Sequence, residues 1–175
     1  MEISLEGIGK KFGNEWIFRH LDVAIPHGST LAVTGRNGSG KSTLLQIIAG
    51  NISPTAGRIS WTLPNQKVEA EKLFRYLTLV APYQELIEEF TLREMIRFHF
   101  SFKRILRGIS SGDLIAMTGF SDPGHKPIRQ FSSGMKQRIK LLLAFFSDVP
   151  LILLDEPTMN LDEAGVGWYL SLIHI

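Results

Sequence analysis

The sequence has no cysteine among its 175 residues, so disulfide bonds, thiolate metal sites and cysteine nucleophiles are all excluded. No apolar run approaches the roughly 18 residues that span a bilayer, and the N-terminus lacks the basic-then-apolar pattern of a secretory signal. Excess charge is also lacking: 19 Lys and Arg against 17 Asp and Glu leave a net charge of +2, too little to indicate nucleic-acid binding. With 44% hydrophobic residues, the chain can bury the core of one ordinary domain.

The spacing of apolar residues predicts a mixed α/β chain. Strands are expected at 2–8, 16–25 (antiparallel to the first), 30–34, 58–63, 76–81 and 150–154. Helices are expected at 42–49, 91–117, 133–146 and 162–173, with a loop at 119–130. In the second helix, Met95, Phe98 and Phe102 have the spacing of one helix face. Buried strands followed by helices predict a largely parallel core, accompanied here by an antiparallel portion and a helical subdomain.

A glycine-rich segment lies between the predicted strand at 30–34 and the predicted helix at 42–49. It matches G-x-x-x-x-G-K-[ST], in which glycines allow close backbone approach and successive N–H groups point at phosphates. Lys41 would supply charge for the β- and γ-phosphates, and Ser42 a hydroxyl for Mg²⁺. A mere glycine-rich turn is the alternative, which the flanking strand and helix disfavour. The predicted nucleotide-binding residues are Gly35, Arg36, Asn37, Gly38, Ser39, Gly40, Lys41, Ser42 and Thr43.

Two acids follow the apolar residues 151–154, and they are Asp155 and Glu156. Both come at the carboxyl end of a predicted buried strand, which is where open parallel sheets bind ligands. There Asp155 would help to hold Mg²⁺, and Glu156 would polarise the attacking water. Two solvated acids at a strand end are the alternative, but the phosphate loop in the same chain favours the catalytic interpretation.

The segment FSSGMKQR, residues 131–138, begins the predicted helix at 133–146. Either Ser132 or Ser133 could cap that helix. The free N–H groups of a helix start, the small hydroxyls and Gly134 would also suit a phosphate, which makes Ser132, Ser133 and Gly134 a second candidate site. An ordinary serine cap without a ligand is the alternative.

In this order the three segments resemble the ATP-binding cassette (ABC) family, and the resemblance covers nearly the whole chain. FSSGMKQR is similar to the family signature LSGGQxQR, and LILLDEPTMNLD is similar to its Walker B strand and D-loop, with Asp162 as the D-loop acid. The base-reading motif N-K-x-D of GTPases is absent. The resemblance implies ATP and Mg²⁺ as cofactors, ATP hydrolysis coupled to transport, a homo- or heterodimer of cassettes, and a transmembrane permease on whose cytoplasmic face the chain works. It implies no direct contact with nucleic acid.

The resemblance also assigns roles to two residues outside the three segments, and it divides the chain into a core and a helical subdomain. Phe12 stands where the family places an aromatic residue that stacks on adenine, although a core aromatic at a strand end is the alternative. Gln84 stands near the family glutamine that touches Mg²⁺ and senses the permease, but a one-residue offset would give that place to Tyr83. Residues 1–175 would form one nucleotide-binding domain, with a core at 1–84 and 148–175 and a helical subdomain at about 85–147. The permease would contact the subdomain near residues 84–100.

The chain departs from the family pattern in two places. The signature has Phe131, Ser133 and Met135 in place of Leu, Gly and Gln, so ATP-driven closure is expected to be altered rather than lost. His174 lies too close to Asp162 to serve as the family's switch histidine. The chain is therefore expected to be C-terminally truncated, to lack the family's last strands, and to hydrolyse ATP slowly.

Two other functions compete with the transporter ATPase. A nucleic-acid or ribosome-linked cassette is disfavoured by the single cassette and by the short distance between phosphate loop and signature. A regulatory module that binds ATP without hydrolysing it draws its support from the altered signature.

Overall fold

The computed structural model describes residues 1–120 and 126–173, and the chain forms two compact units, Met1–Leu77 and Thr78–Ile175. Within the described residues, no helix is long and apolar enough to cross a membrane. The chain contains an antiparallel sheet, a short parallel sheet and a group of helices, which confirms the predicted mixed α/β class. The division into a core at 1–84 and 148–175 and a subdomain at 85–147 stays a prediction.

The first unit is built on a four-stranded antiparallel sheet of order β2-β1-β3-β4. Its strands are β1 (Glu2–Phe12), β2 (Glu15–Ile25), β3 (Ala56–Leu63) and β4 (Gln66–Val68). Along β1, Ile3 and Leu5 are buried on one face because alternate residues of a strand point the same way. Ile3 pairs with Ile25 of β2 on one side and with Trp61 of β3 on the other, which fixes the register.

Helix α1 (Lys41–Ile48) packs against this sheet within the first unit, which also contains a 3₁₀ turn at Ala70–Arg75. The indole N–H of the buried Trp61 donates to the carbonyl of Ile48 over 2.9 Å, so the sheet holds the last turn of α1. Gly50 follows with a φ of 74°, the left-handed conformation that ends helices and that glycine adopts readily.

The second unit surrounds one central helix. Its elements are β5 (Leu77–Val80), α2 (Leu92–His99), α3 (Ser111–Met117), a 3₁₀ turn (Ile128–Gln130), α4 (Ser133–Phe145), β6 (Leu151–Leu154) and α5 (Glu163–Ile173). Strands β5 and β6 pair side by side. Ile139, Leu141 and Leu142 of α4 are fully buried and belong to one apolar cluster that includes residues of α2, α3 and α5. Burial of α4 from several sides makes it the scaffold of this unit.

The predicted strand at 30–34 is wrong, because these residues belong to neither sheet of the described chain. Leu31 is 51% exposed instead of buried. A strand is defined by hydrogen bonds to a neighbouring strand, and an apolar run predicts only the tendency to seek one.

The single helix predicted at 91–117 is also wrong, since α2 and α3 are separate helices. The intervening chain bonds to the end of α4 instead of continuing a helix: Leu106 N–H donates to Phe146 O over 3.0 Å, and Asp148 N–H donates to Arg104 O over 2.9 Å. Ser110 then starts α3 with a capping box. Long-range pairing has therefore overridden a local periodic pattern.

The other predicted strands and helices are confirmed with shifted ends. The strand predicted to be fully buried at 150–154 is β6, of which only Leu153 is fully buried. Residues 121–125 of the predicted loop and His174, which was excluded as a switch histidine, lie outside the described residues.

Candidate functional site

The phosphate loop closes around its own lysine. The Lys41 ammonium donates to the carbonyl oxygens of Gly35 and Arg36, each over 2.9 Å, and Ser39 N–H donates to Arg36 O over 3.1 Å. These bonds close the segment into a ring whose residues 35–39 are exposed. A phosphate would offer the same ammonium a charged acceptor in place of two neutral carbonyls, and charge-assisted bonds are stronger.

The N-terminus of α1 is left open for an anion. Gly40 occupies the cap position with a φ of 93°, no side chain caps the helix, and no acid lies in its first turn. The first N–H groups of a helix have no partner within the helix, so those near Ser42 and Thr43 can donate to a ligand. A Cβ on Gly40 would overlap the side chain of Ile17 on β2, so only glycine allows this backbone path.

Phe12 lies at the end of β1 with 54% of its surface exposed. The alternative of a core aromatic therefore does not describe its position. The ammonium of Lys10 lies 5.1 Å from the ring centroid, within cation–π distance. The ring is open to a flat ligand, and its adenine-stacking role stays a prediction.

The signature segment forms the first turn of α4. Ser132 is the N-cap, since its hydroxyl accepts a hydrogen bond from Met135 N–H over 3.2 Å. Ser133 is exposed as the first helical residue. A Cβ on Gly134 would lie 2.8 Å from the carbonyl oxygen of Asn160, so glycine is needed where the loop after β6 approaches the helix.

An open pocket of about 390 Å³ lies at this helix start, within the second unit. Its lining combines hydroxyl, amide, guanidinium and carboxylate groups with apolar side chains. The residues are Phe120, Ser132, Ser133, Gly134, Met135, Arg138, Asn160, Leu161 and Asp162. The three signature residues thus share one concave surface with the D-loop acid.

The two acids after β6 differ in their surroundings. Asp155 is 5% exposed, and its N–H donates to Val80 O over 2.8 Å, which extends the pairing of β6 with β5. Glu156 is exposed and has a φ of 48°, a conformation that non-glycine residues rarely adopt. Among the residues that the structure describes, no ion pair involves Asp155. A buried carboxylate without a cation is suited to a metal ion, whereas Glu156 faces solvent.

Tyr83, the alternative to Gln84, is electrostatically linked to Asp155. The pKa of Tyr83 is raised above its ordinary value, mainly by burial and secondly by the negative charge of Asp155. Gln84 is half-buried, and its N–H donates to Ala81 O over 3.1 Å in a turn. The predicted contact of Gln84 with Mg²⁺ stays a prediction. Tyr83, the alternative to Gln84 in the sequence analysis, is the residue whose pKa is affected by Asp155.

Two contacts between α4 and the loop after β6, and one between that loop and α5, escaped the sequence reasoning. The buried Gln137 donates through Nε2 to Pro157 O over 2.8 Å, and Arg138 forms a 3.5 Å ion pair with Asp162. Asp162 also accepts a 2.7 Å bond from Gly165 N–H at the start of α5. Helical spacing could have indicated the first two, since residues 134, 137 and 138 share one face of α4.

The sheets, the glycine loop and the open start of α1 together define a phosphate-loop nucleotide-binding protein. The family model described as ABC transporter matches residues 18–159. The chain is 32% identical to the cytochrome c biogenesis ATP-binding export protein CcmA of Brucella abortus, covering 99% of this chain and 79% of that protein. It is 30% identical to the protein of the same name from Agrobacterium fabrum, with coverage of 99% and 82%.

Solved structures agree with this match. The dimeric structure of MJ0796, described as a bacterial ABC transporter cassette, has a TM-score of 0.78 and 27% identity and covers 98% of this chain and 81% of that one. The chain belongs to the ABC transporter family. Within this family, the chain is an ATP-binding, ATP-hydrolysing subunit of the kind that works as a cassette dimer with a membrane permease. The predictions of ATP hydrolysis, a cassette dimer and a permease partner are thereby confirmed.

Proposed function

We propose that the chain binds Mg²⁺-ATP at Gly35–Thr43 and hydrolyses it with Glu156 as the residue that orients water. The observation that carries this proposal is the open, uncapped start of α1 behind a loop whose lysine donates to two neutral carbonyls. A polyphosphate would satisfy the free N–H groups and the ammonium together. Phe12, exposed at the end of β1, would stack on the adenine.

Magnesium fits the donor groups that the chain offers. Mg²⁺ prefers hard oxygen ligands and is commonly held by one or two protein oxygens together with phosphates. Ser42 offers a hydroxyl beside the phosphate loop, and Asp155 offers a buried carboxylate that no cation of the described residues neutralises. Gln84 is the further oxygen ligand that the family resemblance predicts. The ion would supply charge stabilisation of the phosphates, and Glu156 would act on the water beside them.

The signature of one subunit would cover the ATP of its partner in a head-to-tail dimer. Ser132, Ser133 and Gly134 line an open pocket at the start of α4, which suits a phosphate that arrives from outside the subunit. Because the hydroxyl of Ser132 already accepts from Met135 N–H, its proton remains available to an anion. Ser133 adds a second hydroxyl at the same helix start.

The permease would contact the aromatic residues in and around α2. Phe98 is 41% exposed and Phe102 is 61% exposed, and their rings meet edge to face with centroids 5.3 Å apart. Phe90 extends this group, with its centroid 5.6 Å from that of Phe98. Exposed aromatic clusters are typical of protein interfaces. The chain would then work at the cytoplasmic face of the membrane, where ATP is available.

Replacement of the loop lysine tests the proposal. Lys41→Ala removes the ammonium that would bind the β- and γ-phosphates, and we expect ATP affinity to fall at least tenfold. Lys72→Ala, at an exposed lysine of the same unit, is the matched control and should bind as the wild type does. Isothermal titration calorimetry with Mg²⁺-ATP measures both. Equal ATP affinity of Lys41→Ala and wild type would refute the proposed site.

A further inference from the structure

The most deeply buried side-chain amide near the proposed catalytic acid belongs to α4. Gln137 is 5% exposed and donates through Nε2 to the carbonyl oxygen of Pro157 over 2.8 Å. A buried amide costs free energy unless its hydrogen bonds are made, so this bond determines where the facing loop can lie. Pro157 directly follows Glu156, so the bond holds the carbonyl of the residue next to the proposed catalytic residue.

The loop that Gln137 holds has an unusual backbone. Glu156 and Asn160 have φ values of 48° and 64°, and these conformations persist in non-glycine residues only where the surroundings impose them. Met159 N–H donates to Glu156 O over 3.0 Å, and this bond closes a tight turn at residues 156–159. The exposed carboxylate of Glu156 makes none of the side-chain hydrogen bonds or ion pairs found among the described residues, so its direction depends on this backbone.

The same helix carries the signature residues one turn earlier. Gly134 lies three residues before Gln137, against the carbonyl of Asn160, and Arg138 pairs with Asp162 beyond the turn. The segment after β6 is therefore bonded to α4 at Pro157 and at Asp162, and between them Asn160 lies close to Gly134. A displacement of the first turn of α4 would be transmitted to the peptide unit of Pro157 because a helix moves as a rigid element.

We propose that Gln137 is a positioning residue that sets the direction of the Glu156 carboxylate through the Pro157 carbonyl. It links the signature residues of a subunit to the hydrolytic acid of that same subunit. This inference rests on the proposed role of Glu156. The side chain of Gln137 touches neither ATP nor water in this scheme, and it acts through the backbone of the turn.

Gln137→Met tests this role, since methionine keeps the length of the side chain and removes the donor. We expect ATP affinity to remain within twofold of wild type, while the single-turnover rate of ATP hydrolysis falls about 3- to 10-fold, the range of one lost hydrogen bond. Amide hydrogen exchange at residues 156–161 should become faster. If Gln137→Met does not fold, Gln137→Asn keeps the amide and withdraws it by one methylene, with the same expectations.

Ser147→Ala is the matched control. The buried Ser147 hydroxyl, just beyond the other end of α4, donates to Leu143 O over 2.7 Å and lies 2.9 Å from His99 Nε2, so its loss removes buried hydrogen bonds far along the helix from Gln137. This variant should lose stability and keep the wild-type hydrolysis rate. A folded Gln137→Met with the wild-type rate, or a Ser147→Ala that slows hydrolysis equally, would overturn the positioning role.

Glu156→Gln separates this inference from the function on which it rests. A Glu156→Gln variant that hydrolyses ATP as fast as wild type refutes the role of Glu156, and the positioning role with it. If Glu156→Gln stops hydrolysis and Gln137→Met does not slow it, only the positioning role fails. All variants are measured in the full 175-residue chain.

Discussion

Acidification should destabilise the second unit through one histidine at the end of α2. Burial, and secondly the charge of Lys103, lower the pKa of His99 from 6.5 to about 4. The Ser147 hydroxyl lies 2.9 Å from His99 Nε2 and donates its proton to Leu143 O, so Nε2 of the neutral ring carries the hydrogen that Ser147 accepts. Protonation of His99 would therefore place a positive charge in a buried site beside the charge of Lys103, and both features disfavour the charged ring.

The size of the effect follows from the two pKa values. The unfolded chain binds a proton near pH 6.5 and the folded chain only near pH 4, so the unfolded state takes up more protons between these values. Folding stability is then complete above about pH 6.5 and decreases as the pH falls toward 4, by about 3 kcal/mol in total. At pH 5 the loss is about 2 kcal/mol.

Urea unfolding followed by circular dichroism at pH 7.5 and pH 5.0 measures this loss. His99→Gln serves as the reference, since its amide can still donate to Ser147 and cannot be protonated. All other titrating groups are common to the two proteins, so the difference between their pH dependences isolates the histidine. We expect the wild type to lose about 2 kcal/mol more than the variant over this range. Equal losses in the two proteins would refute the reasoning.

Two further predictions concern the surface of the second unit. Gly134→Ala should destabilise the fold, because its Cβ would meet a loop carbonyl at 2.8 Å. The control Gly167→Ala in α5 has nothing within 4 Å of the added Cβ and should stabilise the fold by about 0.5–1 kcal/mol. Thermal unfolding measures both variants, and stabilisation by Gly134→Ala would contradict the close approach. The double variant Phe98→Ser/Phe102→Ser should bind the permease at least tenfold more weakly in a co-purification titration. The control Leu170→Ser, at a leucine that is 49% exposed, should bind the permease as the wild type does. Unchanged binding of the double variant would place the docking surface elsewhere.

Much of the candidate site could be predicted because its chemistry is local in sequence. The phosphate loop needs glycines, a lysine and a helix start within nine residues, and all of these lie at Gly35–Thr43 with α1 beginning at Lys41. Ser132 likewise caps α4 by a bond within the same turn. A single stretch of chain specifies such features, so a sequence pattern is sufficient to find them.

The errors occurred where a partner segment decides the structure. Residues 30–34 have the composition of a buried strand, but composition does not supply the neighbour that a strand requires. The break between α2 and α3 arises because the chain near Leu106 pairs with the end of α4, about 40 residues later. Phe102 lies beyond the end of α2 and is 61% exposed, whereas the predicted continuous helix would have aligned it with Met95.

The sequence by itself determined the family, the phosphate loop, the two acids after β6 and the order of most elements, because each depends on neighbouring residues and on simple periodicity. Only the tertiary structure decided that Gln137 faces Pro157, that Arg138 pairs with Asp162, and that His99 lies in a site that resists protonation. These are contacts between segments separated along the chain. Their formation depends on how elements pack, and the local sequence does not encode the distance between them.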